Sequence, residues 1–435
     1  MTFLNLFLMV VHHFFTLLFT VGSVYAQEMV VGNEAGIGSR AMGMGGAYTA
    51  VADDFSALYY NPAGLSQIRR IEFNMGISIM RTREQAFLRS SIGTPSTGTD
   101  TGVTSENAIS SCGGVLPIPT YRGSLVFAAG YNRVKEFNDA LRVKGYSDSW
   151  DGIIQGESID DGGLDMWSFA GAVDVSPNIA LGGSLDFYRG DYVLDQKSAY
   201  YDRENTYAEF YSSGYHDKFK AWNLHLGMLI GTQSNFRIGT TLKLPIKYKI
   251  KDSYYDNWYN RSGSPFSLWE HVSPAYADSS NEVSGKFKYF MKSPIELNAG
   301  VSWEKKGMTF SADIHFLDWS QSETDLEDPE YFYRNSVYWR VGAETPVPFL
   351  NIFIRAGYAS VPDPYKGYIF KGDRERTIIK TENKKDYMTF GSGILLDQSV
   401  LLDIAFIHGF WSSEDNPLTN ESTRNKIFIT LSNRI

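Results

Sequence analysis

Asp313 and His315, in "MTFSADIHF", stand two residues apart, the spacing that puts a carboxylate and an imidazole on one face of an extended strand. Beside a serine, such a pair suits hydrolysis: the acid orients the ring and the ring takes the hydroxyl proton. No nucleophile motif accompanies them and the 7 histidines are scattered, so the expectation is a solvated acid–imidazole pair and no catalytic residue. "GIGSRA", from Gly36, has the glycine spacing of a dinucleotide fingerprint, but no strand–turn–helix unit surrounds it. Glycine turns account for it, and no cofactor is expected. Cys112 stands alone, which leaves no cysteine pair for a disulfide or a metal cluster, and no metal site is expected.

The strand that carries Asp313 and His315 is one of several with a period of two. Met308, Phe310, Ala312, Ile314 and Phe316 alternate with Thr309, Ser311, Asp313 and His315. "IEFNMGISI" repeats the pattern from Ile71 and "IELNAGVSW" from Ile295. A soluble sandwich crowds its polar face with Lys and Glu; here that face is Gly, Ser, Asn and Thr with scattered charges. The pattern predicts an apolar face toward lipid and a small polar face toward the lumen of a closed transmembrane barrel. Glu296, Arg340, Glu344 and Arg355 are expected to face inward with Asp313 and His315. They would form a structural ion network or meet a ligand carboxylate, and the sequence leaves both open.

Strands are predicted over 71–81, 108–116, 122–133, 164–175, 178–192, 217–231, 235–249, 293–304, 308–319, 335–345, 350–361, 386–396, 399–411 and 423–434, all antiparallel. Short connections such as "SPN", "EKKG" and "DQS" alternate with long ones at 134–163, 193–216, 250–292 and 362–385. Short periplasmic turns, long external loops and an even strand count describe a bacterial outer-membrane barrel, the expected location. Its outer surface would meet outer-membrane lipid and lipopolysaccharide, and it is expected to be a monomer. An aromatic content of 15% and 40 glycines suit such strands and turns. The net charge of −9 disfavours a nucleic-acid partner, which would need a basic face.

Phe3 to Val21 is almost wholly apolar, and "VGSVYAQE" follows with Val24 and Ala26 at small-residue positions. Residues 1–26 therefore read as a signal peptide. Residues 27–66 precede the first strand without lipid-facing alternation, and a fourteen-strand lumen is too wide for side chains to fill. They are expected to form a plug within the barrel of residues 67–435. Gly43, Gly45 and Gly46 would turn tightly against the wall. Asp53 would cap a short helix "DFSALYY", with Asp54 beside it, and Asn61 before Pro62 and Ala63 would end that helix.

The stretch "GSRAMGMGGAYTAVADDFSALYYNPAGL" resembles the N-terminal hatch of the FadL and TodX family of outer-membrane transporters for long-chain fatty acids and other hydrophobic compounds. "SADIHFLDWSQ", "YWRVGAETPVPFLNIFIRAGYASVP" and "MTFGSGILLDQSVLLDIAFIHGF" resemble that family's last third. The resemblance implies a fourteen-stranded barrel with a hatch, capture of a fatty acid or hydrocarbon by outer loops, and lateral exit through a kinked third strand. The matching strand is "GSLVFAAGYNR", with the kink placed at Ala128, Ala129 and Gly130. Capture falls to two aromatic segments, which hold Tyr207, Phe210 and Tyr211 and then Tyr255, Trp258, Phe266 and Trp269; the competing reading is an interfacial girdle. PorV-type barrels of the type IX secretion system share a similar Gly-rich and Asn-Pro-Ala start, and a protein-secretion role stands as the alternative.

Overall fold

The computed structural model describes residues 36–88, 98–147, 152–204, 206–263, 278–325, 334–364, 369–371, 376–378, 384–415 and 418–435. The strands are β1 (Glu72–Leu88), β2 (Gly98–Ile118), β3 (Leu125–Glu136), β4 (Asp139–Ser147), β5 (Gly152–Ser176), β6 (Ile179–Asp202) and β7 (Tyr207–Ile230). Next come β8 (Phe236–Lys243), β9 (Lys247–Ser262), β10 (Ser279–Lys292), β11 (Ile295–Lys305), β12 (Met308–Asp318) and the short β13 (Glu323–Thr324). The last are β14 (Ser336–Pro346), β15 (Ile352–Pro362), the small β16 (Ile369–Lys371) and β17 (Arg376–Ile378), β18 (Lys384–Leu395), β19 (Val400–Asp415) and β20 (Leu418–Arg434).

These strands close into a barrel of fourteen antiparallel staves. β1 pairs with β20 from Glu72–Arg434 to Leu88–Leu418, so the first and last strands leave no edge where they meet, and unpaired backbone in hydrocarbon would cost several kcal/mol per group. Two staves are interrupted: β8 and β9 form one, broken at Leu244–Pro245–Ile246, and β10 and β11 the next, broken at Ser293–Pro294. Proline has no N–H for the ladder. Phe73, Met75, Ile77 and Ile79 are exposed outward, as are Leu297, Val301 and Trp303 on β11; the alternation thus faces lipid as its period requires.

The predicted outer loops prove shorter than expected. Residues 193–202, 207–216, 250–262 and 279–292, read as loop, continue β6, β7, β9 and β10 as paired strands. Beyond the membrane they need no apolar alternation, so nothing in their pattern marked them as sheet.

Residues 36–68 are inside the barrel and almost wholly buried. They contain two short helices, Ser39–Gly43 and Ala57–Tyr60, and a 3₁₀ turn, Pro62–Gln67. Asn61 is extended (φ −159°, ψ 103°), as a residue before proline prefers. The cap differs from expectation: Asp54, not Asp53, accepts from the Ser56 amide at 2.9 Å, while Asp53 pairs with Arg40. Asp54 also accepts from the Tyr48 hydroxyl at 2.7 Å, so the two adjacent acids take different tasks. Gly45 and Gly46 have φ of 68° and 72°, a region that glycine enters without strain.

The wall meets this segment through glycines. Gly113 lies opposite Gly130, Gly182 opposite Gly227, Gly239 opposite Gly300, and Gly342 opposite Gly357, with Gly391 completing the ring on β18. At each, a Cβ would stand closer than 3.0 Å to an atom of residues 43–63. Backbone therefore abuts backbone at Gly182, Gly239, Gly342, Gly357 and Gly391, while Gly113 and Gly130 receive the Phe55 ring, Gly227 the Asn61 side chain and Gly300 the Thr49 side chain. Gly239→Val, whose side chain would strike the Thr49 carbonyl, should cost the seated segment ~1–3 kcal/mol by overpacking. In planar bilayers the folded variant is expected to show higher conductance than the native barrel; equal conductance would make the contact dispensable.

Candidate functional site

The interior segment is held by two kinds of contact. On the side of β14, β15 and β19 the contacts are ionic. Glu344 receives Arg40 through both oxygens at 2.9 Å and Arg355 at 2.5 Å, and Arg355 reaches Asp403 at 2.6 Å. Arg355 and Glu344 are buried, so each charge depends on the others for compensation. At the base Arg434 pairs with Glu72 at 2.8 Å, and Glu72 also accepts from the Phe55 amide at 3.0 Å.

On the side of β7, β11 and β12 the contacts are hydrogen bonds to backbone. Asp313 Oδ2 accepts from the Tyr48 and Thr49 amides at 2.8 and 2.9 Å and from the Thr49 hydroxyl at 2.8 Å. Asn61 donates to the Thr49 and Met228 carbonyls at 2.8 and 3.1 Å and accepts from the Ala63 amide at 3.1 Å. Arg340 donates to the Gly46 carbonyl at 3.2 Å. Burial pushes the Tyr60 phenol well up, so it remains protonated, accepting from the Ile37 amide at 3.1 Å and donating to the Ile37 carbonyl at 3.0 Å.

His315 does not form a catalytic pair with Asp313. Its Nε2 lies 3.9 Å from Asp313 and its Nδ1 3.6 Å from Glu296, both too long for hydrogen bonds, and the ring stacks on Tyr338 at 4.4 Å. The Asp313 oxygen nearest the ring is taken by the amides of residues 48 and 49. Glu296 lies 3.9 Å from Lys243, whose ammonium sits over the Tyr59 ring at 4.4 Å.

The third stave departs from the wall. The ladder between β2 and β3 runs only from Ile118–Leu125 to Ser111–Asn132. Beyond it β2 stays with β1, while β3 and β4 stay with β5. The register of β3 on β5 shifts between Arg133 and Lys135, a bulge that bends the strand. β4 then crosses β1 and β2 closely enough that a Cβ on Gly102 would strike the Ala140 carbonyl. The departure thus falls at Val134, not at Ala128, Ala129 and Gly130, which remain paired on both sides. Gly130 has another use: with Gly113 it receives the Phe55 ring of the interior segment. Along the seam Arg133 bridges Glu106 at 3.0 Å and Asp165 at 3.1 Å. Ser110 Oγ and both amide atoms of Asn132 have no hydrogen-bond partner among the described residues.

From Phe55 and Tyr60 one buried apolar cluster continues through Val134, Leu164 and Phe137 to Tyr192, Phe219 and Ile250 in the outer half of the lumen. Phe137 packs on Tyr192 at 5.4 Å and on Phe219 at 6.3 Å. Sequence reasoning missed Phe137, Tyr192 and Phe219; even spacing from inward neighbours was the available signal for Tyr192 and Phe219, whereas Phe137 follows the register shift of β3 and falls out of that period. The aromatic capture residues are not gathered with them. Phe210 stacks on Tyr259 at 5.3 Å in a separate buried cluster with Tyr201, Tyr211 and Tyr255 donate to Asp256 and Asp195 at 2.8 and 2.5 Å, and Tyr211 pairs in register with Trp258. Tyr207 opens β7 beside Glu209. Phe266 and Trp269, like residues 1–35, lie outside the described residues.

A closed outer-membrane barrel with a chain segment seated in its lumen defines the class of protein. The sequence belongs to the outer membrane protein transport family (OMPP1/FadL/TodX), which matches residues 22–430. It is similar in fold to the toluene transporter TodX of P. putida, at 14% identity over 92% of this chain and 99% of that one, with a TM-score of 0.62. A Pseudomonas aeruginosa FadL homologue aligns at 15% identity over 91% and 97%, with a TM-score of 0.57. The Ralstonia pickettii toluene transporter TbuX aligns at 14% over 92% and 99%, with a TM-score of 0.55. No curated protein matches the sequence.

Two substitutions test the two kinds of contact. Asn61→Ala leaves the Thr49 and Met228 carbonyls without this donor, a loss of ~1–3 kcal/mol. Hydrogen exchange of the amides at 48–66 is expected to accelerate at least tenfold while the wall stays protected. Glu344→Gln strips Arg40 and Arg355 of a shared carboxylate, and breaking a buried ionic group costs ~3–5 kcal/mol. The same exchange measurement should show the larger acceleration at residues 39–46.

Proposed function

We propose that this outer-membrane protein is a non-enzymatic, monomeric channel for uptake of a neutral hydrophobic compound. The ligand is captured at the outer end of the barrel, moves down to the interior hatch, and leaves sideways between β2 and β3 into the membrane. The observation that carries this reading is the apolar cluster that joins the outer lumen to Phe55 at the foot of the β2–β3 seam. Apolar lining with a few placed polar groups is what small hydrophobic ligands bind. The hatch, sealed on wall glycines, leaves the seam as the lower-cost exit, and an apolar ligand that turns into lipid never crosses the aqueous periplasm.

A neutral hydrocarbon is favoured over a fatty-acid anion by the charges around the seam. Arg133 is engaged with Glu106 and Asp165, Arg424 with Asp139 at 2.8 Å, and Lys426 with Glu136 at 2.5 Å. A carboxylate arriving there would compete with acids already in place. Two of the structural neighbours, TodX and TbuX, are toluene transporters, in keeping with this choice.

Deleting Val134 removes the extra residue of the bulge and lets β3 follow β2 in the wall. In a strain without its own transporter, the native protein is expected to accelerate uptake of an alkylbenzene over that of a long-chain fatty acid. The Val134 deletion should lower this to a tenth or less in protein that still assembles. Native-rate uptake by the deletion would place the exit elsewhere; no uptake by the native protein would end the transport reading.

A further inference from the structure

The outward face of β7 to β11 changes character at one level. Lower down, Leu226 on β7, Leu242 on β8 and Leu297 on β11 lie side by side in register. Trp222, exposed at 64%, marks the interface, where tryptophan is enriched. Above it the outward positions are rich in lysine: Lys220 and Lys218 on β7, Lys247, Lys249 and Lys251 on β9, and Lys292, Lys288 and Lys286 on β10, with Phe290 between Lys292 and Lys288 and the Lys247 ammonium over its ring at 3.6 Å.

These lysines face one another directly. Lys220 pairs in register with Lys249, Lys218 with Lys251, Lys251 with Lys288, and Lys247 with Lys292. Arg189 of β6 extends the row beside Lys220. Like charges opposite one another destabilise a sheet, and this chain carries a net −9, so gathering its cations here works against folding. Acids stand within and beside this face: Asp325 accepts from the Phe290 amide at 2.7 Å. Asp191, beside Lys218, is 3.7 Å from His216, and Glu323 is 3.8 Å from Lys292. Three strands at ~4.8 Å spacing make a patch about 10 Å across, the scale of a phosphorylated disaccharide.

Below the patch, on the same strands, the lipid-facing wall is hollowed. A groove of about 590 Å³ is lined by Leu181, Leu226, Met228, Leu242, Leu297 and Ile314, with Thr240 and Ala299 as its small floor. Cations above and an apolar trough beneath match the two ends of a lipid.

We propose that β7 to β11 form a seat for a phosphorylated glycolipid of the outer leaflet, its phosphates on the lysines and one acyl chain in the groove. The site faces away from the lumen and does not depend on the uptake reading. Basic residues at a membrane surface attract anionic headgroups additively, by about fivefold for each lysine, and the attraction weakens with salt.

The test uses the full-length barrel in zwitterionic detergent, titrated with bis-phosphorylated lipid A and followed by native mass spectrometry. Binding is expected to fall at least tenfold with the dephosphorylated lipid. The same fall is expected in the quadruple variant Lys218→Gln, Lys249→Gln, Lys251→Gln and Lys288→Gln, but not in Lys305→Gln with Lys306→Gln at the opposite end of the barrel. Ala299→Trp, which fills the groove, should weaken lipid A but not soluble polyphosphate. If the quadruple variant fails to assemble, Lys249→Gln with Lys251→Gln is read in the same way. Binding that ignores the phosphates or the lysines would overturn the proposal. So would polyphosphate that binds as tightly as lipid A and displaces it, because the patch would then serve a soluble polyanion.

Discussion

Contact between the hatch backbone and the wall backbone is the constraint on which the rest of the interior depends. A wall of β-strands presents a side chain inward at every second residue, which would hold any segment in the lumen at arm's length. Glycine at the facing positions removes that spacer. Thr49 and Ala50 come down onto Gly239, Met44 and Gly45 onto Gly342 and Gly357, and Pro62 and Ala63 onto Gly182. The hydrogen bonds and ion pairs then have partners within reach: Asp313 can accept two hatch amides only because Gly300, opposite it in the ladder, leaves room for Thr49.

Closeness of this kind holds the segment against the wall, and the wall departs from it at one stave. Close to where β2 and β3 part, Gly113 and Gly130 admit the Phe55 ring instead of backbone, two residues before the ladder ends at Ser111–Asn132. Above it the bulge at Val134 and the inward-lying β4 keep each strand hydrogen-bonded to one neighbour. The parting therefore leaves one flank of β2 and one of β3 open without unravelling the sheet.

Much of the barrel was legible because lipid on one side and a small lumen on the other impose a strict period of two, as from Ile71 to Ile79 and from Ile295 to Trp303. That constraint ends at the membrane surface, and so did the legibility. Residues 193–202 and 250–262 are strands that no lipid face patterned. The ring glycines were visible as small polar-face residues, but only register shows that Gly239 and Gly300, 61 positions apart in number, stand opposite each other. The kink was assigned to Gly130 because glycine permits bending, whereas the bulge at Val134 is visible only in the register of β3 on β5 and no residue type marks it. Asp53 and Asp54 are equivalent as helix caps in sequence; Arg40 distinguishes them by claiming the first.

The outward lysines illustrate the same limit from the other side. "DKFKAW", "IKYKIKD" and "GKFKYF" each read as an ordinary alternating strand end with solvated charges, and each alone would be cheap to maintain. Their cost arises only when three strands bring them level, Lys218 beside Lys251 and Lys251 beside Lys288. The interior shows the opposite economy, since buried Arg355 is matched at once by Glu344 and Asp403. Buried Arg355 is thus matched within the chain, whereas the exposed lysines stack against each other just above the apolar band, and the proposed glycolipid would supply their counter-charge from outside the polypeptide.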